Sequence, residues 1–317
     1  MKIVTFSPRQ NLSERRVGVL LESGMIVDLR EAAVRFSEGD AEDSFRTSID
    51  LLNGGDSSLN LARSLSEKAT HASKADEPVK KGRDEARVVH KVEQVKMRSP
   101  LKPYKIISIG ANYEEHMSEG GRKMFDAPGG HWKLPSTVIG TDEDIVKSKM
   151  TQTLDYEIEL AVVIGKPAKD VEESNAYDYV AGYTIFNDVS ARDIMTKDVG
   201  RRLAIGKNLD TFSPMGPYLV TKDEVPDPDD LDIELTVNGE VRQKSSTSKM
   251  NRDIPNLISF FSSYMTLDPG DVITTGTPSG VALFRKPDPT PFYLKPGDVV
   301  EATIERLGTL RNRVVVE

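Results

Sequence analysis

Cysteine does not occur anywhere in this chain of 317 residues. Its absence excludes a disulfide framework, a thiol nucleophile and a thiolate site for a metal. Long apolar segments are also absent, since none approaches the roughly 20 residues that a membrane-spanning helix needs. The apolar start, residues 1–6, is too short for a signal peptide. We therefore expect a soluble protein of the cytoplasm that does not associate with membranes.

Positive charge is scarce relative to negative charge. The chain has 42 Lys and Arg against 50 Asp and Glu, which gives a net charge of −8 and a pI near 5.3. No dense stripe of Lys and Arg is present, so the composition argues against nucleic acid as a partner.

The length allows one large or two modest domains, and the pattern of elements favours two. The early strands and helices that this pattern predicts are residues 2–6, 17–21, 26–29, 49–53 and 59–68. A charged, proline-bearing stretch follows them, as expected of a linker. We therefore predict a small N-terminal α+β domain with its linker over residues 1–98 and a larger domain over residues 99–317.

The central feature of the sequence is an acidic pair that leads into an apolar segment. Glu157 and Glu159 precede Ala161 and Val163, and the segment ends at Gly165, which predicts a strand buried on both faces. Side chains alternate along a strand, so the two carboxylates share a face, roughly 6–7 Å apart at the backbone. Burying two like charges costs several kcal/mol per ion, and a hard divalent cation between them would offset this cost. The alternative is the solvated face of an edge strand, against which Ala161 and Val163 argue.

A third carboxylate is expected from the next strand. Residues 183–186 form a short β-branched and aromatic run, and Asp188 follows directly after it. A side chain at the end of a strand can reach into a cleft. We therefore predict a metal site of three carboxylates, namely Glu157, Glu159 and Asp188.

A candidate general base lies earlier in the chain. His116 and Glu119 are spaced i, i+3, so a helical turn places them on one face within reach of each other. A carboxylate that holds one imidazole nitrogen raises the basicity of the other, although a chance pair on a solvated helix is the alternative. The segment that follows is rich in glycine and charge, and we predict a mobile lid from His116 to about Trp132. His71 and His90 have no matching neighbours and are expected to be ordinary surface or partly buried histidines.

Shorter signals in the second half are less specific. Lys207 follows Gly206 and would suit a carbonyl-polarising cation, although a lone lysine is far more often exposed. Asn238-Gly239 predicts a hairpin, and Asp253 predicts a helix cap. The glycine-rich residues 274–280 lack the Gly-Lys-Ser/Thr helix of a phosphate-binding loop.

These motifs together resemble those of the fumarylacetoacetate hydrolase superfamily. The likeness rests on Asn112-Tyr113 with His116 and Glu119, Asp155-Tyr156-Glu157-Ile158-Glu159-Leu160, Asn187-Asp188-Val189-Ser190-Ala191-Arg192-Asp193, Gly206-Lys207 with Asp210-Thr211, and Pro269-Gly270-Asp271 before Thr275-Gly276-Thr277-Pro278. Each motif is weak alone, but they occur in the family's order and spacing over residues 103–317. The resemblance implies an α+β fold, a mixed β-sandwich roll behind a small N-terminal α+β domain, assembled as a homodimer.

The resemblance also implies roles for individual residues. It implies Mg²⁺, or else Mn²⁺ or Ca²⁺, on Glu157, Glu159 and Asp188. The implied catalytic residues are His116 and Glu119 on a closing lid and Lys207 near the substrate oxyanion, and the expected substrate contacts are Arg192, Thr277 and Lys133. This chain has Met195 where family hydrolases often carry a glutamine, and Phe125, His131 and Trp132 give it an unusual lid. Both departures concern the substrate and leave the metal site unchanged.

The function expected from this set of residues is a metal-dependent hydrolase. It would cleave a C–C bond of, or decarboxylate, small 2,4-diketo or 2-keto acids such as acylpyruvates, fumarylpyruvate or oxaloacetate. His116 would deprotonate the attacking water, and the metal and Lys207 would stabilise the resulting enolate. Two alternatives stay open: an isomerase or hydratase of unsaturated 2-hydroxy or 2-oxo dioic acids in aromatic catabolism, and a non-catalytic, metal-dependent binding protein.

Overall fold

A computed structural model of the chain describes residues 1–37, 41–72, 79–81, 84–197 and 202–317. The α-helices in these residues are α1 (Leu29–Phe36), α2 (Ser48–Asn53), α3 (Gly55–His71), α4 (Glu114–Glu119), α5 (Arg192–Met195), α6 (Leu203–Gly206) and α7 (Ile254–Tyr264). The strands are β1 (Lys2–Pro8), β2 (Arg16–Leu20), β3 (Met25–Asp28), β4 (Val79–Lys81), β5 (Asp84–Ala86), β6 (Val89–Lys91), β7 (Val95–Arg98), β8 (Ile106–Gly110), β9 (Gly129–Lys133), β10 (Val138–Ile139), β11 (Ile145–Lys147), β12 (Leu154–Asp155), β13 (Ile158–Ile164), β14 (Val180–Asn187), β15 (Ser190–Ala191), β16 (Ser213–Thr221), β17 (Asp232–Val237), β18 (Glu240–Ser246), β19 (Val272–Thr274), β20 (Val299–Ile304) and β21 (Gly308–Val316).

Two mixed sheets carry most of these strands, which confirms the predicted α+β class. The larger sheet has the order β6-β3-β2-β1-β16-β14-β13-β19-β8-β9, with β7 attached to β1 and β10 to β16. The smaller sheet has the order β11-β21-β20-β17-β18. A continuous apolar core contains side chains from both, including Val162 and Ile185 of the larger sheet and Leu235 and Ala302 of the smaller. Among the described residues, none of the helices is both long enough and apolar enough to span a bilayer.

The N-terminal residues form the predicted strands and helices but share a sheet with the rest of the chain. Strand β1 pairs with β16, so that Lys2 lies opposite Val220 and Ile3 opposite Leu219. The predicted boundary between residues 98 and 99 stays a prediction, and it does not interrupt the hydrogen bonding of the large sheet.

Strand β13 is the buried strand that the acidic pair predicted. All its residues are buried, and it pairs with β14 on one side and β19 on the other. The alternative of a solvated edge strand is therefore wrong. Ala161 and Val163 contact the apolar core that also contains Ile49 and Leu51 of α2, so the N-terminal helices lie under the face that carries the two glutamates.

The predicted lid is only partly outside the sheets. His116 lies in α4, but residues 129–133 form β9, which pairs with β8 so that His131 lies opposite Ser108. The lid prediction is therefore wrong for its last residues. A Cβ at Gly130 would lie 2.2 Å from the carbonyl oxygen of Ser108, so this glycine permits close strand pairing rather than a loop.

Two local predictions are confirmed. Asn238 and Gly239, both with positive φ, connect β17 to β18. The Asp253 side chain accepts a hydrogen bond of 2.9 Å from the backbone N–H of Asn256 and caps α7.

Candidate active site

Three buried carboxylates meet where β13 begins and β14 ends. The two strands are antiparallel with Ile158 opposite Asn187, so Glu157 and Glu159 at the start of one lie beside Asp188 at the end of the other. Each side chain offers an oxygen, and these oxygens all lie within 4.8 Å of one another. The structure thus brings the three predicted ligands together. An all-oxygen donor set of this kind fits Mg²⁺, Mn²⁺ or Ca²⁺.

Two buried lysines contact the triad of Glu157, Glu159 and Asp188. Lys207 Nζ donates to Glu157 Oε2 (2.6 Å) and to Asp188 Oδ2 (2.7 Å). Burial alone would lower the pKa of Lys207, but Asp188 and Glu157 hold it above its ordinary value. Lys133 Nζ donates to Asp188 Oδ1 (2.7 Å) and to the carbonyl of Phe212 (2.8 Å), and burial lowers its pKa. These contacts orient Asp188, and the expected contact of Lys133 with substrate stays a prediction.

Arg192 connects the triad to a fourth buried carboxylate. Its guanidinium donates to Glu157 Oε1 (2.5 Å) and to Asp155 Oδ2 (2.8 Å). Burial would raise the pKa of Glu157, but Arg192 and Lys207 lower it to about 2. Arg192 is thus placed to hold Glu157 ionised, and its predicted contact with substrate is not tested by these bonds.

Glu159 is in a different electrostatic state. Burial, followed by repulsion from Asp188 and Glu157, holds the pKa of Glu159 well above its ordinary value. Its Oε2 accepts hydrogen bonds from the Thr274 hydroxyl and from the backbone N–H of Gly276 (2.9 Å). A cation among the three carboxylates would remove this repulsion and favour the ionised form of Glu159.

The predicted pairing of His116 with Glu119 is not formed. Glu119 Oε2 instead accepts from the backbone N–H of Gly280 (2.9 Å), and His116 Nδ1 has no hydrogen-bond partner in the described part of the chain. The imidazole packs against the ring of Phe284, with centroids 5.3 Å apart. Burial lowers the pKa of His116 to about 4, although Glu157 opposes the shift. The ring is therefore neutral at pH 7.

The predicted Thr277 lies near the triad but is bonded within the protein. Its hydroxyl accepts from Gln243 Nε2 (2.8 Å), and Gln243 Oε1 accepts from the backbone of Ile158 (3.1 Å). Gln243 was not predicted, because no local motif marks it. Met195, at the glutamine position of family hydrolases, packs close to Gly206, where a Cβ would lie 2.4 Å from its Cγ.

His131 is a second residue near the triad that sequence reasoning did not assign to the site. Its Nε2 lies 3.2 Å from Asp188 Oδ2 without hydrogen-bond geometry, and Ser108 Oγ donates to the same oxygen (3.0 Å). His131 and Lys133 alternate with the exposed Trp132 along β9, and the exposed Leu134 follows directly after the strand. This alternation is the sequence pattern of a strand and could have predicted that His131 and Lys133 share a face. Gly129 and Gly130, which precede it, favoured a loop instead.

Comparisons with known proteins give the chain a family. The family model described as "Fumarylacetoacetate (FAA) hydrolase C-terminal" matches residues 105–315. The fumarylacetoacetate hydrolase domain-containing protein 2 homolog of Dictyostelium discoideum is 38% identical over 324 residues, which cover 99% of this chain and 97% of that protein. Oxaloacetate tautomerase YisK of Bacillus subtilis (strain 168) is 41% identical over 305 residues, 94% of this chain and 95% of the relative.

The fold of a solved relative is also shared. Maleylpyruvate hydrolase from Sphingobium sp. SYK-6, in complex with manganese(II) ion and pyruvate, has a TM-score of 0.74 and 28% identity over 100% of this chain and 99% of that chain. The match of the family model over two-thirds of the sequence, together with full-length relatives, is decisive: this chain belongs to the fumarylacetoacetate hydrolase family of enzymes.

Proposed function

We propose that this enzyme is a metal-dependent tautomerase that interconverts the enol and keto forms of a small 2-oxo dicarboxylic acid such as oxaloacetate. The enol of oxaloacetate is an unsaturated 2-hydroxy dioic acid, so this function falls within the isomerase alternative left open by the sequence. The observation that carries the choice is that Glu119 is bonded to Gly280, which leaves His116 as a single neutral imidazole. A neutral imidazole can take a proton from carbon without a carboxylate partner, whereas the hydrolytic route expected from the sequence pairs His116 with Glu119.

Metal dependence is part of the proposal. Glu157, Glu159 and Asp188 are the residues that would hold the cation, because their oxygens lie within 4.8 Å of one another in a buried site. Such a cation would supply a Lewis acid and a template for the carboxylate and 2-oxo oxygens of the substrate.

The residues of the chain perform the proton transfers. In the direction from keto to enol, His116 takes a proton from C3, and the C3–H electron pair becomes the C2–C3 double bond while the π pair of the C2–O double bond moves onto oxygen. The imidazolium of His116 then returns that proton to the C2 oxygen. The reverse direction breaks the enol O–H bond and forms the C3–H bond, so no atom is gained or lost. The ammonium group of Lys207, held by Glu157 and Asp188, stabilises the negative charge that develops on the C2 oxygen.

Hydrolysis of a C–C bond is the second candidate. It is favoured by the likeness to maleylpyruvate hydrolase and by the spacing of His116 and Glu119. For Glu119 to activate water through His116, its carboxylate would have to leave the backbone N–H of Gly280.

The decisive experiment compares two substrates and two variants. With Mg²⁺ or Mn²⁺ present, the protein should accelerate loss of the ultraviolet absorbance of enol-oxaloacetate, and His116→Ala should lower kcat by about 10²- to 10⁴-fold. Glu119→Gln should retain most of the activity. His71→Ala is the matched control, since His71 is exposed and its Nδ1 is hydrogen-bonded to the carbonyl of Glu67 in its own helix (2.8 Å). Rapid hydrolysis of an acylpyruvate, no acceleration with enol-oxaloacetate, and equal losses for His116→Ala and Glu119→Gln would establish the second candidate instead.

We also propose the homodimer implied by the family resemblance. Trp132, Leu134 and Ile205 are large apolar side chains about half exposed, and β9 is an edge of the large sheet among the described residues. Light scattering should give twice the chain mass, 35.0 kDa for one copy. A monomer at micromolar concentration would contradict this proposal.

A further inference from the structure

The segment of residues 280–284 contacts the helix that carries His116 at three places. The backbone N–H of Gly280 donates to Glu119 (2.9 Å). The ring of Phe284 packs against the imidazole of His116 at 5.3 Å, with the planes inclined by 50°. A Cβ at Gly120 would lie 2.6 Å from Phe284 Cζ, so the end of α4 lies directly on this ring.

The same segment is bonded to the metal-ligand side of the site. The backbone N–H groups of Ala282 and Leu283 donate to Asp155 at 2.8 and 3.0 Å. Asp155 accepts from Arg192 (2.8 Å), and Arg192 donates to Glu157 (2.5 Å). A continuous series of contacts through buried side chains thus connects the carboxylate triad with residues 280–284, and through them with His116.

Helix α4 needs this support because it cannot hold its own orientation. It has six residues and no side-chain hydrogen bond at its N-cap, and isolated helices of this length are not stable in water. The direction of the imidazole must therefore come from tertiary contacts. Of these, Phe284 touches the imidazole itself.

We propose that Phe284 is a positioning residue for His116 and that residues 280–284 fix the base relative to the carboxylate triad. The inference rests on the proposed function only in naming His116 as the base. Phe284 packs against the imidazole at a tilt of 50° and limits its rotation. Misplacing a catalytic group by about 1 Å can cost on the order of 10²-fold in rate, so a smaller side chain at this position should lower kcat without changing metal affinity.

Phe292 provides a matched control. Phe284 ends a short 3₁₀ helix (Ala282–Phe284), and Phe292 ends the next one (Thr290–Phe292). The Phe292 ring packs against the guanidinium groups of Arg242 (4.8 Å to the ring centre) and Arg285 (5.3 Å). Phe284→Leu should lower kcat by about 10- to 10²-fold with little change in KM or in the Kd for Mn²⁺, whereas Phe292→Leu should retain wild-type values. In a His116→Ala background, Phe284→Leu should cause no further loss. An equal loss in both backgrounds, or the same loss from Phe292→Leu, would overturn the inference.

A second measurement does not depend on activity. The guanidinium of Arg122 lies 5.6 Å from the Phe284 ring centre, so release of α4 should expose the chain to trypsin after Arg122 and Lys123. Cleavage there should be several-fold faster in Phe284→Leu than in Phe292→Leu, and equal rates would overturn the inference. If His116→Ala itself keeps wild-type turnover, the proposed function fails, while the cleavage rates still decide whether Phe284 holds the helix.

Discussion

The chain buries one cluster of charge in its N-terminal part and another at the active site, and the two are balanced differently. In the first, Asp28 is fully buried, and its Oδ2 accepts from Arg16 (2.8 Å) while its Oδ1 accepts from the backbone N–H of Glu31 (3.1 Å) and caps α1. Each oxygen of this carboxylate has a donor, one of them cationic. In the second, three carboxylates lie within 4.8 Å of one another.

The pKa shifts of the two clusters have different causes. Burial raises the pKa of Asp28, and Arg16 opposes the shift. Burial also raises the pKa of Glu159, but there Asp188 and Glu157 add to the shift. A raised carboxyl pKa therefore does not by itself mark a functional site. At the triad, Lys207, Lys133 and Arg192 compensate Glu157 and Asp188, whereas the hydrogen bonds described for Glu159 come from neutral donors. Repulsion between Glu159 and its two neighbours therefore favours an added cation there.

The largest expected effect separates the clusters by metal binding. Glu159→Ala removes one of three oxygen ligands and should abolish the calorimetric signal for Mg²⁺ or Mn²⁺. Asp28→Asn, which changes the buried carboxylate of the N-terminal cluster, should leave the Kd unchanged. Wild-type affinity in Glu159→Ala would disprove the metal site.

The second prediction concerns stability without metal. Asp28→Asn should lower the free energy of unfolding by about 1–3 kcal/mol, because an amide NH₂ replaces one of the two oxygens that accept from Arg16 and from the backbone N–H of Glu31, and so leaves a buried donor without its acceptor. Glu159→Gln should change it little, because a carboxyl with a raised pKa is already close to neutral and an amide resembles its protonated form. Urea unfolding in EDTA measures both. A comparable loss in Glu159→Gln would mean that Glu159 is ionised in the folded protein.

Local pattern was enough to predict the triad and the strand that carries it. Alternation placed Glu157 and Glu159 on one face, and a strand end placed Asp188 beside them. The burial of the two lysines was harder to predict. Both contact Asp188, but Lys133 lies 55 residues from it in sequence and Lys207 lies 19 residues from it. No local rule distinguishes such lysines from exposed ones.

The missed contacts are those set by tertiary structure. Glu119 was expected on His116, but its partner Gly280 lies 161 residues further along the chain. Pairing of β1 with β16 likewise joins residues more than 200 positions apart. Helical spacing shows which side chains share a face, but it does not show which group elsewhere in the fold competes for them.

The third prediction uses the buried histidine of the N-terminal cluster. Burial, followed by Arg16, lowers the pKa of His90 to about 4, below the value near 6.5 of an unfolded chain. Protonation therefore favours unfolding, so the stability is fully present above about pH 6.5 and is lost as the pH falls from about 6.5 to about 4, the range in which the unfolded chain binds the proton and the folded chain does not. His90→Phe should remove about 2 kcal/mol of this loss, allowing for partial solvent screening. The lowered pKa of His116 contributes with the same sign in both proteins. The difference between wild type and His90→Phe, measured by urea unfolding at several pH values, should therefore report the share of His90 alone. An unchanged pH dependence in His90→Phe would contradict the prediction.

The smallest expected effect compares two histidines that each face a buried aspartate. His90 Nε2 lies 3.9 Å from Asp28, and His131 Nε2 lies 3.2 Å from Asp188. Only the second aspartate is a proposed metal ligand, and groups that orient a ligand from behind commonly change metal affinity by about 10- to 100-fold. His131→Phe should weaken Mn²⁺ binding by about tenfold, at the lower end of that range, because Lys133 and Ser108 continue to hold Asp188. His90→Phe should leave the Kd unchanged. Calorimetry measures the Kd for Mn²⁺ of both variants. If His131→Phe binds Mn²⁺ as tightly as His90→Phe does, His131 only fills space beside Asp188.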